Sequence, residues 1–334
     1  MPRKVLLIRM HAIGDVALTL PAVAAFRAQY PDTRIDFMTS KDAFSLIHAV
    51  QGIDNVYSFP NYTSADIHAV HAMRWGAKIR QISYDVIIDL QRNWLTRLIR
   101  RIASPASWGE FDRFALKPAG RRVIEAFHNT GFAGLSPTHK ITIKVEVENS
   151  ATNILADRGW DDTKRLVVLN PAGLWKTRQW PIDNYVEVAR MLMSLEPVQF
   201  LILGTSRIWE KSAYLEKCLG KCVINLVNET SLGEAFTILQ FASLVLSEDS
   251  GLMHMAWVSG IPTIALLGSS NHVWSSPEGF HTRCFHSGDL TCGACMDARC
   301  RYGDVHCLTR YSPTAIFDEI QVLLKKVPEQ GVVH

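Results

Sequence analysis

A carboxylate follows the first apolar run of the chain. The run from Val5 to Ile8 leads into a short loop with Gly14 and Asp15, after which apolar residues recur at helical spacing. This pattern predicts a buried strand, a glycine loop and a helix, and open α/β sheets bind ligands at the carboxyl ends of such strands. Asp15 is therefore a candidate for chemistry, although an aspartate at this position is also a common helix cap.

A second strand, turn and helix pattern lies in the other half of the chain. The apolar run from Leu244 to Ser247 is followed by Asp249, Ser250 and Gly251, and then by a helical stretch. Free backbone N–H groups at a helix start attract phosphate, so this turn is a candidate anion site. Because Asp249 would repel a phosphate, we expect it to bind sugar hydroxyls or to cap the helix.

Two cations stand in a loop upstream of that turn. Lys176 and Arg178 lie between the apolar strand that ends at Asn170 and a helix predicted to begin near Pro181. Cations in such a loop suit a diphosphate. A solvated loop whose tryptophans pack on the domain fits the same residues, and the loop alone leaves both interpretations open.

The chain of 334 residues, with 48% hydrophobic and 20% charged residues, is long enough for two domains with separate cores. Apolar runs alternate with helical patterns, which predicts an α/β protein with two Rossmann-like, doubly wound domains facing each other across a cleft. We place the domains at residues 1–160 and 161–312, and expect a final helix within residues 313–334 to pack back on the first domain. The predicted strands cover residues 5–8, 35–38, 86–90, 166–170, 200–203, 244–247 and 263–267.

Charge and cysteine usage indicate a cytoplasmic protein. The net charge of +3 does not point to nucleic acid, and no nucleic-acid-binding motif accompanies it. Arg9, His11 and Asp15 interrupt the first apolar stretch too early for a secretory signal, and no later run is long enough to span a bilayer. The seven cysteines are then expected in a reducing compartment, where disulfides are not the default.

A basic segment runs from Arg92 to Arg122, with eight basic residues against only two acidic ones. This excess suits an anionic partner, such as a phosphorylated lipid acceptor or the inner face of the cytoplasmic membrane. An ordinary solvated face fits the same residues.

Four cysteines are concentrated in one short segment near the end of the chain: Cys292, Cys295, Cys300 and Cys307. In a cytoplasmic protein this density is compatible with a structural zinc site, with free buried thiols or with a disulfide.

Taken together, these residues resemble glycosyltransferase family 9, the heptosyltransferases that build the inner core of bacterial lipopolysaccharide. The resemblance rests on segments spread over both domains, namely residues 13–21, 89–91, 176–181 and 249–254. It implies a GT-B fold, with the acceptor on the first domain and a nucleotide sugar, ADP-heptose, on the second. It also implies inverting transfer that requires no metal for catalysis.

The resemblance also implies roles for individual residues. Asp15 matches the general base, and Arg178 takes the position of a diphosphate-binding lysine. The donor-binding candidates are Gly173, Lys176, Arg178, Glu210, Thr230, Asp249, Ser250, Gly251 and His254. The acceptor-binding candidates are His11, Gly14, Arg92, Arg121 and Arg122.

Other functions fit part of the pattern. The same fold could use another nucleotide sugar or a protein acceptor, or the chain could be a nucleotide-responsive binding protein without turnover. A dinucleotide oxidoreductase is disfavoured, because the first strand is not followed by a G-x-G-x-x-G turn.

Overall fold

The computed structural model describes residues 3–60 and 65–326 of the chain. The chain divides into two compact units, Met1–Lys144 (unit 1) and Val145–His334 (unit 2). Unit 1 contains, in order, β1 (Lys4–Ile8), α1 (Ile13–Ala17), α2 (Leu20–Gln29), β2 (Arg34–Ser40), α3 (Phe44–Ala49), β3 (Asn55–Phe59), α4 (Ala65–Ile82), β4 (Val86–Asp89), α5 (Trp94–Ala103), β5 (Ser107–Glu110) and α6 (Ala119–His128). Unit 2 contains α7 (Val145–Asp157), β6 (Arg165–Asn170), α8 (Ile182–Met193), β7 (Val198–Gly204), α9 (Trp209–Leu219), β8 (Val223–Val227), α10 (Leu232–Leu239), β9 (Leu244–Glu248), α11 (Gly251–Val258), β10 (Thr263–Gly268), α12 (His272–Ser275), β11 (Thr282–His286), α13 (His306–Thr309) and α14 (Pro313–Lys326).

The sheet of unit 1 is parallel, with the strand order β3-β2-β1-β4-β5. Ile8, the last residue of β1, lies beside Asp89, the last residue of β4. The chain therefore leaves β1 toward one edge of the sheet and leaves β4 toward the other. In doubly wound sheets ligands bind at this switch point, outside the carboxyl ends of the strands.

The sheet of unit 2 is also parallel and repeats this order with one more strand, as β8-β7-β6-β9-β10-β11. Asn170 at the end of β6 lies beside Ser247 in β9. The switch point of unit 2 is therefore between the carboxyl ends of β6 and β9.

The strands predicted from the sequence are all present. The described residues contain four further strands, β3, β5, β8 and β11, and these are the edge strands of the two sheets.

The first helix of unit 2 begins before the boundary predicted at residue 160. Ala151 and Leu155 on α7 are fully buried, and the Ser150 hydroxyl donates to the Glu234 carboxylate of α10 across 2.7 Å. Glu234 also forms a capping box with Ser231, because its side chain accepts the Ser231 N–H. These contacts attach α7 to α10, so the division falls between Lys144 and Val145.

The last helix, α14, packs on the core of unit 2, whereas the sequence led us to expect it on the first domain. Ile316, Ile320 and Leu323 are fully buried in the same apolar cluster as strand residues such as Val167 and Leu246. Their spacing of four and three residues places them on one face of the helix.

Candidate active site

Asp15 lies on α1 just after β1, at the switch point of unit 1. Its Oδ2 lies 2.6 Å from Nη2 of Arg9 and accepts the backbone N–H of Ala12 across 3.2 Å. Ala12 is the N-cap residue, so Asp15 is the third residue of the helix and bonds back to the cap. The carboxylate is nevertheless 42% exposed, which makes it both oriented and accessible.

The partner of Asp15 is itself fixed. The Arg9 side chain is only 8% exposed, and its Nη1 donates to the carbonyl of Leu90, the residue after β4. Its guanidinium lies 5.0 Å from the ring centroid of Phe111. Arg9 therefore links the loops after β1, β4 and β5 to the Asp15 carboxylate.

The predicted motif at residues 89–91 holds the loop that carries Asp15. The side-chain oxygen of Gln91 accepts the N–H groups of Met10 and His11 across 2.9 and 3.1 Å. Asp89 is fully buried and accepts the N–H groups of Gln91 and Arg92. Burial raises the pKa of Asp89, against the opposing effect of these N–H groups.

The predicted acceptor residues all follow carboxyl ends of strands in unit 1. Gly14 is buried in α1, whereas His11 is exposed, and partial desolvation followed by the Arg9 charge lowers the pKa of His11. Arg122 is buried, with its guanidinium 4.7 Å from the Phe111 centroid. Burial lowers the pKa of Arg122, and the nearby Asp15 charge opposes this shift. The structure thus brings His11 and Arg122 close to the pair of Arg9 and Asp15.

Arg92, another acceptor candidate, forms its ion pairs with carboxylates of unit 1 other than Asp15. Arg92 pairs with Asp112 across 2.7 Å and with Glu110 across 3.4 Å. Arg121 is exposed on α6.

The basic segment forms an amphipathic concavity of about 610 Å³, which we call the arginine pocket. Two aromatic side chains in its lining, Trp94 and Phe114, are 56% and 74% exposed. Some of the basic charge is neutralised locally, because Glu110 pairs with Arg97 and Arg100 as well as Arg92. The lining of the pocket consists of Arg92, Asn93, Trp94, Arg97, Leu98, Arg101, Arg113 and Phe114.

In unit 2, Arg178 and Asp249 meet at the switch point. Nη1 of Arg178 lies 3.0 Å from Oδ2 of Asp249, and the guanidinium lies 4.1 Å from the ring centroid of Trp175. Ser270 donates to the same carboxylate, and Nε2 of His254 lies 3.9 Å from its other oxygen. The structure therefore assembles three of the predicted donor residues into one cluster.

Ser250, and not Asp249, is the N-cap of α11. The Ser250 hydroxyl accepts the N–H of Met253 across 3.3 Å and is held by the amide of Asn170 across 2.7 Å. The prediction that Asp249 caps this helix, one of two that the sequence left open, is thus wrong. The Asp249 carboxylate instead binds Arg178 and Ser270. Gly251 is the first residue of the helix.

The remaining donor candidates lie at the same edge of the sheet. Lys176 is exposed in a 3-10 turn with Arg178, Glu210 is exposed in the first turn of α9, and Thr230 lies between β8 and α10. The close packing around Gly173 explains why this residue is a glycine. A Cβ there would lie 2.2 Å from the carbonyl oxygen of Arg178.

Glu248 is a site residue that the sequence did not single out. It has no exposed surface, and its carboxylate accepts the N–H groups of Gly173 and Trp180, each across 2.7 Å. Burial raises the pKa of Glu248 to about 7, although the Lys211 charge and these N–H groups oppose the shift. The signal in the sequence is a single acidic residue that ends an otherwise uncharged strand.

The four clustered cysteines line one cavity of about 240 Å³ beside this loop. They are free thiols, so the disulfide that the sequence left open is absent. Burial raises the pKa of the Cys307 thiol to about 11, and the neighbouring cysteines add to the shift. Within residues 3–60 and 65–326, no group of three or more histidine, cysteine or acidic side chains is arranged to hold a metal ion.

No helix in the described part of the chain combines the length and apolar composition needed to cross a membrane.

Comparison with known proteins identifies the family. The model of glycosyltransferase family 9 (heptosyltransferase) matches residues 72–306, which is more than half of the chain. The lipopolysaccharide core heptosyltransferase OpsX of Haemophilus influenzae is 22% identical over 293 residues, covering 83% of this chain and 82% of that protein.

Two solved structures share the fold over almost the whole chain. The family 9 glycosyltransferase of Veillonella parvula superposes with a TM-score of 0.81 at 18% identity, covering 97% of this chain and 98% of that one. The Escherichia coli ADP-heptose lipopolysaccharide heptosyltransferase II gives a TM-score of 0.76 at 19% identity, covering 96% and 98%. The predicted α/β architecture of the GT-B type is confirmed. By the match of its sequence over residues 72–306, the chain belongs to glycosyltransferase family 9 and is a glycosyltransferase.

Proposed function

We propose that this enzyme transfers a heptose from ADP-heptose to an inner-core acceptor of lipopolysaccharide, with inversion at the anomeric carbon. The names of its relatives support this substrate pair, since they include a lipopolysaccharide core heptosyltransferase and an ADP-heptose heptosyltransferase. In the reaction, the acceptor oxygen forms a bond to the anomeric carbon while the bond from that carbon to the diphosphate oxygen breaks. ADP leaves with the bonding electron pair.

The observation that carries the proposal is the accessible Asp15 carboxylate at the switch point of unit 1. A general base must receive the hydroxyl proton as the acceptor oxygen attacks, and one carboxylate is sufficient for that step. Arg9 holds Oδ2 in place across 2.6 Å, so the carboxylate is oriented before the acceptor binds. Asp15 is thus the catalytic residue of the proposed mechanism.

Arg178 and Lys176 stabilise the leaving diphosphate in this mechanism. Negative charge develops on the departing ADP, and preoriented cations and helix N-terminal N–H groups lower the energy of that state. The first turn of α11 adds N–H groups beside Ser250 and Gly251. Because Asp249 holds Nη1 of Arg178, we assign it the orientation of that guanidinium, with sugar hydroxyls as further partners when the donor binds.

The arginine pocket fits an anionic, amphipathic partner. Its exposed Trp94 and Phe114 suit the interfacial region of a membrane, and its arginines suit phosphate groups. We assign this pocket to the anionic glycolipid acceptor and the surrounding inner-membrane surface, and we propose that the enzyme acts as a peripheral protein on the cytoplasmic face.

The proposed reaction uses no metal ion. The zinc site predicted at the four cysteines stays a prediction about structure alone, because no catalytic step draws on it. Metal analysis of the purified protein, with and without Cys295→Ser, tests that prediction.

Mass spectrometry of the product tests the proposed function. Purified enzyme is incubated with ADP-heptose and a deep-rough core lipid, and the lipid should gain the mass of one heptose. Asp15→Ala should slow this gain by about two or more orders of magnitude, whereas Asp32→Ala, which removes an exposed carboxylate elsewhere in unit 1, should not.

Each alternative has its own outcome in this assay. Transfer from another nucleotide sugar, or to a protein instead of the lipid, would replace the substrate pair but keep the reaction class. ADP binding without consumption of any donor would contradict the proposed catalysis.

A further inference from the structure

Glu248 is a buried charge at the end of an inner strand. β9 lies between β6 and β10, and Glu248 is its last residue, with no exposed surface. Burying a carboxylate costs free energy unless it is hydrogen-bonded or paired. Its contacts therefore indicate what the molecule gains by keeping it there.

The two oxygens of Glu248 bind two separate points of the chain. Oε2 accepts the N–H of Gly173, and Oε1 accepts the N–H of Trp180, each across 2.7 Å. Nζ of Lys211 lies 3.7 Å from Oε2 and donates to the carbonyl of Pro171 across 2.8 Å. The carboxylate thus joins the two ends of one loop, and Lys211 ties the start of that loop to the same carboxylate.

The loop between these two ends carries both cations of the donor site. Lys176 and Arg178 lie between Gly173 and Trp180. The side-chain amide of Gln179 donates to the carbonyl of Gly173 across 2.8 Å, which is a second link between the two ends of the loop. A Cβ on Gly173 would lie 2.2 Å from the Arg178 carbonyl oxygen and 2.9 Å from Oε2 of Glu248, so the closure depends on the close approach of backbone to backbone.

We propose that Glu248 is a positioning residue for the donor, which closes residues 173–180 into a fixed loop and thereby presents Arg178 to the diphosphate of the nucleotide sugar. This inference rests on the proposed function of Arg178. Glu248 itself contacts the loop backbone and acts on the diphosphate only through Arg178.

Glu248→Gln removes one of the two acceptors with little change in size. The amide has one oxygen and one NH₂ group, so either the Gly173 or the Trp180 N–H faces a donor and loses its bond. One loop end is then released, and Arg178 spends less time in the orientation that binds ADP. We expect the Kd for ADP to rise about tenfold, in line with the cost of an unsatisfied buried N–H group.

A double-mutant cycle measured by calorimetric titration with ADP tests the proposal. The variants are Glu248→Gln, Arg178→Ala and the pair together. If Glu248 acts through Arg178, the double variant should bind ADP about as weakly as Arg178→Ala alone. The KM for the nucleotide sugar should rise in Glu248→Gln, while the KM for the acceptor should not.

Asp85→Asn is the control for this cycle. Asp85 also accepts two backbone N–H groups, those of Arg3 and Lys4, but both bind its Oδ2, at the amino end of β1 and away from the carboxyl edge. The oxygen of the asparagine can keep both bonds, so this variant should leave the affinity for ADP unchanged. Gln179→Ala, which removes the second closure of the loop, provides an independent variant if Glu248→Gln does not fold.

The outcomes separate this inference from the proposed function. Losses of ADP affinity that add fully in the double variant, or an unchanged affinity in Glu248→Gln and Gln179→Ala, would overturn the positioning role. If Arg178→Ala itself leaves ADP affinity unchanged, the proposed diphosphate site fails instead.

Discussion

The two units have the same strand order around their switch points, and each switch point carries an ion pair. The more exposed member of the pair is a carboxylate in unit 1 and a guanidinium in unit 2. In unit 1 a buried arginine, Arg9, holds an accessible carboxylate, Asp15, with exposed fractions of 8% and 42%. In unit 2 a buried carboxylate, Asp249, holds the Arg178 guanidinium, with exposed fractions of 9% and 13%. The ion pair of unit 1 therefore exposes the Asp15 carboxylate, and the ion pair of unit 2 holds the Arg178 cation.

In the mechanism that we propose, this difference lets the same strand order serve two chemical tasks. A carboxylate can accept the proton of a hydroxyl, whereas a cation can bind a diphosphate. In each unit a largely buried partner forms an ion pair with the group to which we assign the chemistry. The sheet determines the position of the ion pair. Whether the carboxylate or the guanidinium is the more exposed member determines which chemistry the pair can support.

The strand next to the switch point ends in a buried carboxylate in both units. Asp89 ends β4 and binds N–H groups of the loop that follows it, at Gln91 and Arg92. Glu248 ends β9 and binds the loop that follows β6. In both units a buried carboxylate, which is costly to bury, accepts hydrogen bonds from the loop backbone. These hydrogen bonds fix the position of the loop at each switch point.

The largest expected effect is on turnover in unit 1. Asp15→Ala removes the proposed base, and turnover should fall by about two or more orders of magnitude. A transfer assay at saturating donor measures this, with Asp32→Ala as the control. Near-normal turnover would reduce Asp15 to the structural role of bonding the helix cap.

The next effect is a pH dependence of stability in unit 2. The pKa of Glu248 is about 7 in the folded chain, above the ordinary 4.5, so the folded state binds more protons between these values. The free energy of unfolding should therefore fall as pH rises from about 4.5 to about 7, by about 3 kcal/mol from this group.

Urea unfolding across that pH range checks the slope. Glu248→Gln should flatten it, and Glu216→Gln, which changes an exposed glutamate of α9, should leave it as it is. An identical pH profile for wild type and Glu248→Gln would show that the carboxyl titrates equally in both states.

Loss of the cation at the second switch point should weaken donor binding. Arg178→Ala is expected to raise the Kd for ADP about tenfold or more, since a charge-assisted hydrogen bond is worth roughly 1.5–3 kcal/mol. Calorimetric titration measures the change, and Arg190→Ala, on the exposed side of α8, is the control. Unchanged affinity would remove Arg178 from the phosphate site.

The smallest effect concerns the arginine pocket of unit 1. Arg101→Ala should weaken binding to vesicles that contain phosphatidylglycerol by about fivefold, because one basic residue near an anionic surface contributes about 1 kcal/mol. The loss should shrink at high salt. Arg74→Ala on α4 is the control, and equal losses in the two variants would indicate general attraction with no specific role for the pocket.

The inner strands could be predicted from the sequence, and the edge strands could not. Inner strands such as β4 and β10 are buried on both faces, so they appear as continuous apolar runs. β5 contains Ser107, Gly109 and Glu110, and it pairs on one side only. Edge strands need less apolar sequence, which leaves little periodic signal.

Candidate residues that follow apolar strands could also be predicted, but their partners could not. Asp15 and Asp249 stand in turns whose place in the sheet follows from the run before them. The pairs they form with Arg9 and Arg178 depend on side-chain directions that local sequence does not specify. Glu248 went unnoticed because a charge at a strand end resembles the start of a turn.

Titration of Asp15→Ala with ADP determines whether the two switch points work separately. If proton removal belongs to unit 1 and diphosphate binding to unit 2, this variant should bind ADP within about twofold of the wild type while it fails to transfer the sugar. A loss of ADP affinity as large as that of Arg178→Ala would contradict this division of labour.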